Sequence, residues 1–268
     1  MRRAFAGATV VVSGAAGGLG RALARAFGRA GSRLVLLDLP GPALDGLAAE
    51  LRQAGVEALA VACDVTDERA CEAAAEAAVE RFGRLDVLVN NAGITHRSPF
   101  EATATAVLRR VLEVNLFGAI HLTRAALPHL RQARGLVVVI SSVAGYTPLI
   151  ARTGYAASKH ALHGLFESLR SELVPQRVEV MLACPAFVAT GIDRNALGPD
   201  GGPATHPQVV VGRRLDPDAV AARIVRGAAL GRRLLLIGST ARVAWWLGRL
   251  APGAYARLMA RRLRGEMR

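Results

Sequence analysis

Short unbroken apolar runs alternate with amphipathic stretches along most of this chain. The runs are ATVVVS (8–13), RLVLLD (33–38), EALAVACD (57–64), LDVLVN (85–90), GLVVVISS (135–142), RVEVMLA (177–183) and RRLLLIG (232–238). Each is apolar throughout rather than at every second position, which predicts strands covered on both faces. Between them, residues 18–30, 42–54, 67–82, 101–131, 152–174 and 216–230 carry apolar side chains at helical spacing. Strand then helix, repeated with short links, predicts a parallel sheet joined by right-handed crossovers. The expected fold is one doubly wound α/β domain over residues 1–238, with helices on both faces of the sheet.

Composition narrows the function classes. Of 268 residues 52% are hydrophobic, enough for a continuous core, and 4% are aromatic, so Ala, Val, Leu and Gly must fill it. A net charge of +13 raises the question of an anionic partner. The arginines are scattered through helical stretches and accompany no zinc-finger, ribonucleoprotein or basic-heptad pattern, so no nucleic-acid partner is expected. Cys63, Cys71 and Cys184 make no CxxC pair. They predict neither metal site nor disulfide framework, and point to a reducing, cytoplasmic compartment. The opening MRRAFAGATVVVSGAAGG runs from basic residues through an apolar stretch into glycines, and reads as a strand rather than a signal peptide. No segment reaches the ~18 uninterrupted apolar residues of a membrane span.

Two stretches carry candidate chemistry. The first apolar run ends in SGAAGGLG (13–20), with Gly14, Gly18 and Gly20 opening a helix. Glycines there allow a tight turn and let backbone N–H groups at a helix N-terminus approach a pyrophosphate. The second run ends at Asp38, where a carboxylate can accept from both hydroxyls of an adenosine ribose and would repel a 2′-phosphate. With Gly17 rather than a basic residue in the loop, this favours NAD over NADP, although Arg21 and Arg33 are nearby cations. The alternative for Asp38 is a helix cap before Pro40.

The second stretch is GYAASKHAL (154–162). It holds the one lysine of the chain, Lys159, among 34 basic residues. Tyr155 and Lys159 are spaced i,i+4, so on a helix they share a face. A phenol exchanges protons with an alcohol near neutrality only if its pKa falls from about 10, and a nearby cation promotes that. Arginine is a planar fork that stays charged, whereas a compact ammonium can also reach ribose hydroxyls and water.

These pieces together resemble the classical short-chain dehydrogenase/reductase family. The matching elements are SGAAGGLG, CDVT (63–66), NNAG (90–93), Asn115 in VLEVNLFG, Ser142 in ISSVAG and YAASK (155–159), in order from residue 8 to about 190. The resemblance implies a seven-stranded Rossmann-type sheet in a homodimer or homotetramer. It implies Ser142, Tyr155 and Lys159 as catalytic residues, with Asn115 binding a water that links Lys159 to solvent. Ser13, Gly14, Gly18, Leu19 and Gly20 would form the nucleotide loop. Asp64 and Val65 would lie at the adenine, and Asn90, Asn91, Ala92 and Gly93 would shape the pocket. Pro185, Val188 and Thr190 would lie at the nicotinamide, with Ala186 where the family usually has glycine.

The reaction so implied is hydride transfer between NAD(H) and a hydrophobic secondary alcohol or ketone. The alternatives are an NADPH-dependent 3-oxoacyl reductase of lipid synthesis and a non-catalytic dinucleotide sensor on the same fold. Residues 191–215, rich in Gly and Pro, stand where the family has a substrate lid. His160, His163 and Glu167 lie on neighbouring helical turns but lack a second cluster, so no metal site is expected. In the tail, 239–268, Val243, Trp246, Leu247 and Leu250 form one apolar stripe; Tyr255, Leu258, Met259 and Leu263 form another. Arg242, Arg249, Arg257, Arg261 and Arg264 fall largely off them. Such a helix pair either lies on an anionic membrane surface or packs on the body with its arginines in water.

Overall fold

A computed structural model of the chain describes residues 3–205 and 208–267, apart from the side chains of Arg264 and Met267. One parallel sheet is formed by β1 (Thr9–Ser13), β2 (Arg33–Asp38), β3 (Ala58–Ala62), β4 (Val87–Asn90), β5 (Leu136–Ile140), β6 (Glu179–Pro185) and β7 (Leu234–Ile237). The spatial order is β3-β2-β1-β4-β5-β6-β7, so the chain reverses its direction of winding between β1 and β4. In such sheets the crevice at the carboxyl ends of the strands beside that reversal is where ligands bind.

Each strand is apolar on both faces because each face is covered. Val10 and Val12 of β1 pack in one layer with Leu23 and Phe27 of α1 (Gly18–Arg29), Leu47 of α2 (Pro42–Gln53) and Ile224 of α7 (Pro217–Ala229). Val11 turns to the other layer, with Ala74 of α3 (Glu68–Phe82), Leu122 of α5 (Gly118–Ala133) and Phe166 of α6 (Thr153–Glu172). Each fully buried Leu or Phe contributes about 2 kcal/mol.

Helix starts follow sequence signals. Asp67 accepts from Arg69 N and Ala70 N to cap α3, and Asp216 accepts from Ala219 N, 2.8 Å away, to cap α7 before Pro217. The single helix expected over 101–131 is instead broken. A 3₁₀ turn at Phe100–Ala102 precedes α4 (Thr105–Leu112), and a π turn at Glu113–Phe117 joins α4 to α5. Pro99 and Thr103, whose hydroxyl donates to the Pro99 carbonyl at 2.7 Å, fix the first break. The second contains Asn115, whose side chain bonds Ile94 and Ser158 outside this helix. Apolar periodicity runs through both breaks and hides them.

After β7 come α8 (Ser239–Leu250) and α9 (Pro252–Arg262), which fold back over the sheet's carboxyl end. Among the described residues no helix is long and apolar enough to cross a membrane.

Candidate active site

The glycine loop after β1 turns because Gly14 adopts φ +62°, and a Cβ there would lie 2.8 Å from Ala92 Cα. At Gly20 a Cβ would overlap the Gly14 carbonyl oxygen, so only glycine closes this loop onto α1. At Gly18 it would come 3.0 Å from Thr190 Cβ, which brings the segment after β6 against the loop. The N-terminus of α1 has no side-chain cap and no acidic residue in its first turn. Its N–H groups are therefore available to an anion, and the loop fits a pyrophosphate.

Asp38 lies beside that loop, at the end of β2. Its Oδ2 accepts from Ala16 N at 2.8 Å and its Oδ1 from Leu39 N at 2.9 Å. The carboxylate thus braces the turn and caps no helix. Arg33, at the far end of β2, donates to the Gly7 carbonyl at 2.8 Å, and Arg21 reaches the Ala43 carbonyl at 3.4 Å. Asp64 accepts from Thr66 N and Thr66 Oγ1, at 2.9 and 2.8 Å, and the Thr66 N–H bond is the largest cause holding its carboxyl below the usual range.

A cleft of about 770 Å³ runs from this loop along the carboxyl edge of the sheet. Gly14, Gly18, Leu19, Gly20, Asp38 and Asp64 line one end of it. Val65, Asn91, Ala92 and Gly93 continue the wall, and Ser142, Tyr155, Lys159, Pro185, Val188 and Thr190 meet at its middle. Ser13 and Asn115 lie behind the wall and are 1% exposed. Ser13 Oγ donates to the Val89 carbonyl at 3.2 Å and accepts from Asn91 N and Ala92 N, each at 3.0 Å. Its hydroxyl stitches β1 to the loop after β4. Asn115, in the π turn, accepts from Ile94 N at 2.8 Å and donates to the Ile94 carbonyl at 3.0 Å and to Ser158 Oγ at 2.9 Å. It ties the β4 loop to α6. Asn90 donates to Thr123 Oγ1 at 2.9 Å, on the helix side of the sheet.

β5 ends at Ile140, although Ser141 N still donates to the Ala183 carbonyl of β6 at 2.8 Å, and the side chains of Ser141 and Ser142 come next. They diverge. Ser142 Oγ accepts from Ala144 N at 3.2 Å and stands near enough to Tyr155 to favour its phenolate, whereas Ser141 turns inward to His163 Nε2 at 3.1 Å. Lys159 Nζ lies 5.7 Å from the Tyr155 ring centre and donates to the Ile140 carbonyl at 2.9 Å. Helical spacing brings the pair together as expected. Burial is the largest influence on both. It raises the Tyr155 phenol above its ordinary value and pulls the Lys159 ammonium down to about 8. The groups that favour phenolate are the Ser142 hydroxyl and then the Arg152 guanidinium. The lysine ammonium donates to the Ile140 main-chain carbonyl rather than to the phenol oxygen.

His160 and His163 part company: His160 is exposed and hydrogen-bonded to the Ala156 carbonyl, while His163 is buried against Ser141 and Cys184. Three site features escaped the sequence reading. Arg97 and Arg152 both line the cleft. The third is the tail: Tyr255, Met259 and Leu263 form its far wall and pack on Leu149, Val211 and Leu247. Tyr255 OH donates to Thr147 Oγ1 at 3.2 Å, and Tyr146 OH to the Ala241 carbonyl at 2.9 Å. The 255-259-263 spacing, i,i+4,i+8, was the signal that this stripe is buried. Val243, Trp246 and Leu250, on the other stripe, remain 62–78% exposed. Of the lid segment, His206 and Pro207 lie outside the described residues. Leu197 binds it down, donating to the Thr95 carbonyl at 2.9 Å and accepting from Arg97 N at 2.8 Å.

Comparison with known proteins identifies the family and the fold. The short chain dehydrogenase family profile matches residues 8–198. Dehydrogenase/reductase SDR family member 7B of Bos taurus is 40% identical over 276 residues, covering 99% of this chain and 84% of that protein. The crystal structure of a short chain dehydrogenase/reductase from Burkholderia phymatum in complex with NAD superposes with a TM-score of 0.82, at 29% identity and 96% coverage of both chains. A metagenomic short-chain oxidoreductase in complex with NADP gives a TM-score of 0.69, at 33% identity, covering 85% of this chain and 92% of that one. This chain belongs to the short chain dehydrogenase family, and is an oxidoreductase built on a seven-stranded dinucleotide-binding fold.

Proposed function

We propose that this oxidoreductase transfers hydride between NAD(H) and a hydrophobic secondary alcohol or ketone, with Tyr155 moving the proton. The observation that carries this reading is the single cleft shared by the glycine loop, Asp38, Ser142, Tyr155 and Lys159. Gly14, Gly18 and Gly20 with the uncapped α1 terminus would hold the pyrophosphate, and Asp38 the adenosine ribose. Asp64 and Val65 would flank the adenine; Pro185, Val188 and Thr190 would flank the nicotinamide. The bound nicotinamide supplies or accepts the hydride.

The remaining chemistry belongs to the chain. Because burial keeps Tyr155 protonated, the resting phenol is an acid, suited to protonating the carbonyl oxygen in the reductive direction. Ser142 donates to that same oxygen and orients it. Lys159 holds the ribose and delivers its charge beside Tyr155 when oxidation demands phenolate. Asn115, rigid in its π turn, supports a water leading from Lys159 to solvent. We assign NAD over NADP because the Asp38 carboxylate would repel a 2′-phosphate and neither Arg21 nor Arg33 is directed to that position. The family resemblance supports a homodimer or homotetramer.

A second reading concerns the tail. Val243, Trp246 and Leu250 form an exposed apolar stripe on α8, bordered by exposed Arg242 and Arg249. That face supports peripheral contact with an anionic membrane surface, beside a cleft that takes a hydrophobic substrate.

Initial rates with NADH and NADPH on a panel of medium-chain ketones test the first reading. The expected result is turnover with kcat/KM at least about tenfold higher for NADH, the gap closing in Asp38→Ala. Preference for NADPH would favour the 3-oxoacyl reductase alternative. Nucleotide binding with no turnover on any ketone would favour a sensor.

A further inference from the structure

The cleft also holds two buried guanidinium groups to which the functional reading assigns no contact with nucleotide or substrate. Arg97, in the loop after β4, is 5% exposed, and Arg152, at the start of α6, is 2% exposed. Arg152 Nη2 donates to both carboxylate oxygens of Glu266, at 3.1 and 3.2 Å, while its Nη1 has no hydrogen-bond partner among the described residues. Arg97 is held more weakly. Among the described residues its guanidinium makes one hydrogen bond, a long 3.4 Å contact from Nη2 to the Asp193 carbonyl, and its Nε has no partner there. The Asp193 carboxylate is engaged by Arg214 at 2.8 Å.

Among the described residues Glu266 pairs with Arg152, and no carboxylate pairs with Arg97. The two arginines are close enough for the Arg97 charge to pull the Arg152 guanidinium down, adding to the larger effect of burial. A buried cation without a counter-charge is costly, and a ligand that brings one recovers that cost on binding. The wall beside them is apolar, built from Leu149, Val211, Leu247 and Met259. Arg152 also stands near enough to Tyr155 to influence its ionisation, which ties this charge to the reacting end of the cleft.

We propose that the substrate is an acidic amphiphile: its carboxylate or phosphate pairs with Arg97 and Arg152, and its hydrocarbon body lies along the tail helices. This deepens the functional reading and rests on it for the location of the reacting carbonyl. Arg97 is the specificity-determining group, because Arg152 already has Glu266.

Calorimetric titration of the NADH-saturated enzyme tests this with non-reacting probes. Octanoate is compared with methyl octanoate, and octyl phosphate with 1-octanol, all below micelle-forming concentrations. At least one acid is expected to bind about tenfold or more tightly than its neutral partner, and Arg97→Gln to bring that ratio within about twofold. Arg97→Lys should restore part of the preference. Preference for octanoate alone assigns a carboxylate, and for octyl phosphate alone a phosphate. Equal affinity for acids and neutral partners in the wild type overturns the proposal. So does a preference that persists in a folded Arg97→Gln; if that variant does not fold, the wild-type ratio decides. Because binding is read without turnover, acid preference in an enzyme that never consumes NADH would remove the functional reading and leave this inference standing. Turnover of neutral ketones without acid preference would do the reverse.

Discussion

Tyr155 and Lys159 share a turn of α6, and burial acts on them in opposite directions. It disfavours charge on each, raising the phenol and lowering the ammonium to about 8. The spacing of the two residues is legible in the sequence, but the depth at which they sit is not. A third titratable group fixes their helix in place. His96 is fully buried and its Nε2 accepts from Gly154 N at 2.9 Å, next to Tyr155. That bond requires a neutral ring, and burial holds the imidazole down to about 4. The unfolded chain takes up this proton below about 6.5 while the folded protein resists until about 4, so stability falls as pH drops through that window. The loss attributable to this residue is on the order of 3 kcal/mol. Urea unfolding across pH 7 to 4 should therefore show a shallower decline for His96→Gln, which keeps an acceptor without the titration. Parallel declines would refute the assignment.

At the scale of elements, the pattern of apolar runs found every strand of the sheet. It succeeded because both faces are covered, so a strand reads as a continuous apolar block. Edges were less visible: the apolar run extends to Ser142 but β5 ends at Ile140, and the two serine side chains take opposite partners while Ser141 N still bonds the Ala183 carbonyl. The run over 101–131 reads as one helix because the π turn at Glu113–Phe117 continues the helical backbone with no proline to mark it. Asn115 in the middle of that run was the local inconsistency, a residue of poor helix propensity where the fold needs its side-chain amide. The glycine loop was legible because only glycine tolerates the Gly14 conformation and the Gly20 approach. Arg97 and Arg152 were not, because nothing in the sequence marks which two of the many arginines are buried.

For the whole molecule, the winding reversal between β1 and β4 sets one end of the cleft and the tail helices set the other. The body and α9 bury Tyr255, Met259 and Leu263, leaving one stripe of α8 in solvent. Contact of that stripe with membranes predicts co-sedimentation of the full chain with anionic vesicles, reduced at least about threefold by Trp246→Ser with Leu250→Ser. Equal sedimentation of wild type and double variant would dismiss it. The central claim is that a nucleotide-loaded cleft uses Tyr155 as its proton donor. Its most direct test is NADH consumption by wild type and Tyr155→Phe under identical ketone, with NADH affinity measured in parallel. The account predicts matched affinity and a rate at least about 10²-fold lower in the variant; equal rates would contradict it.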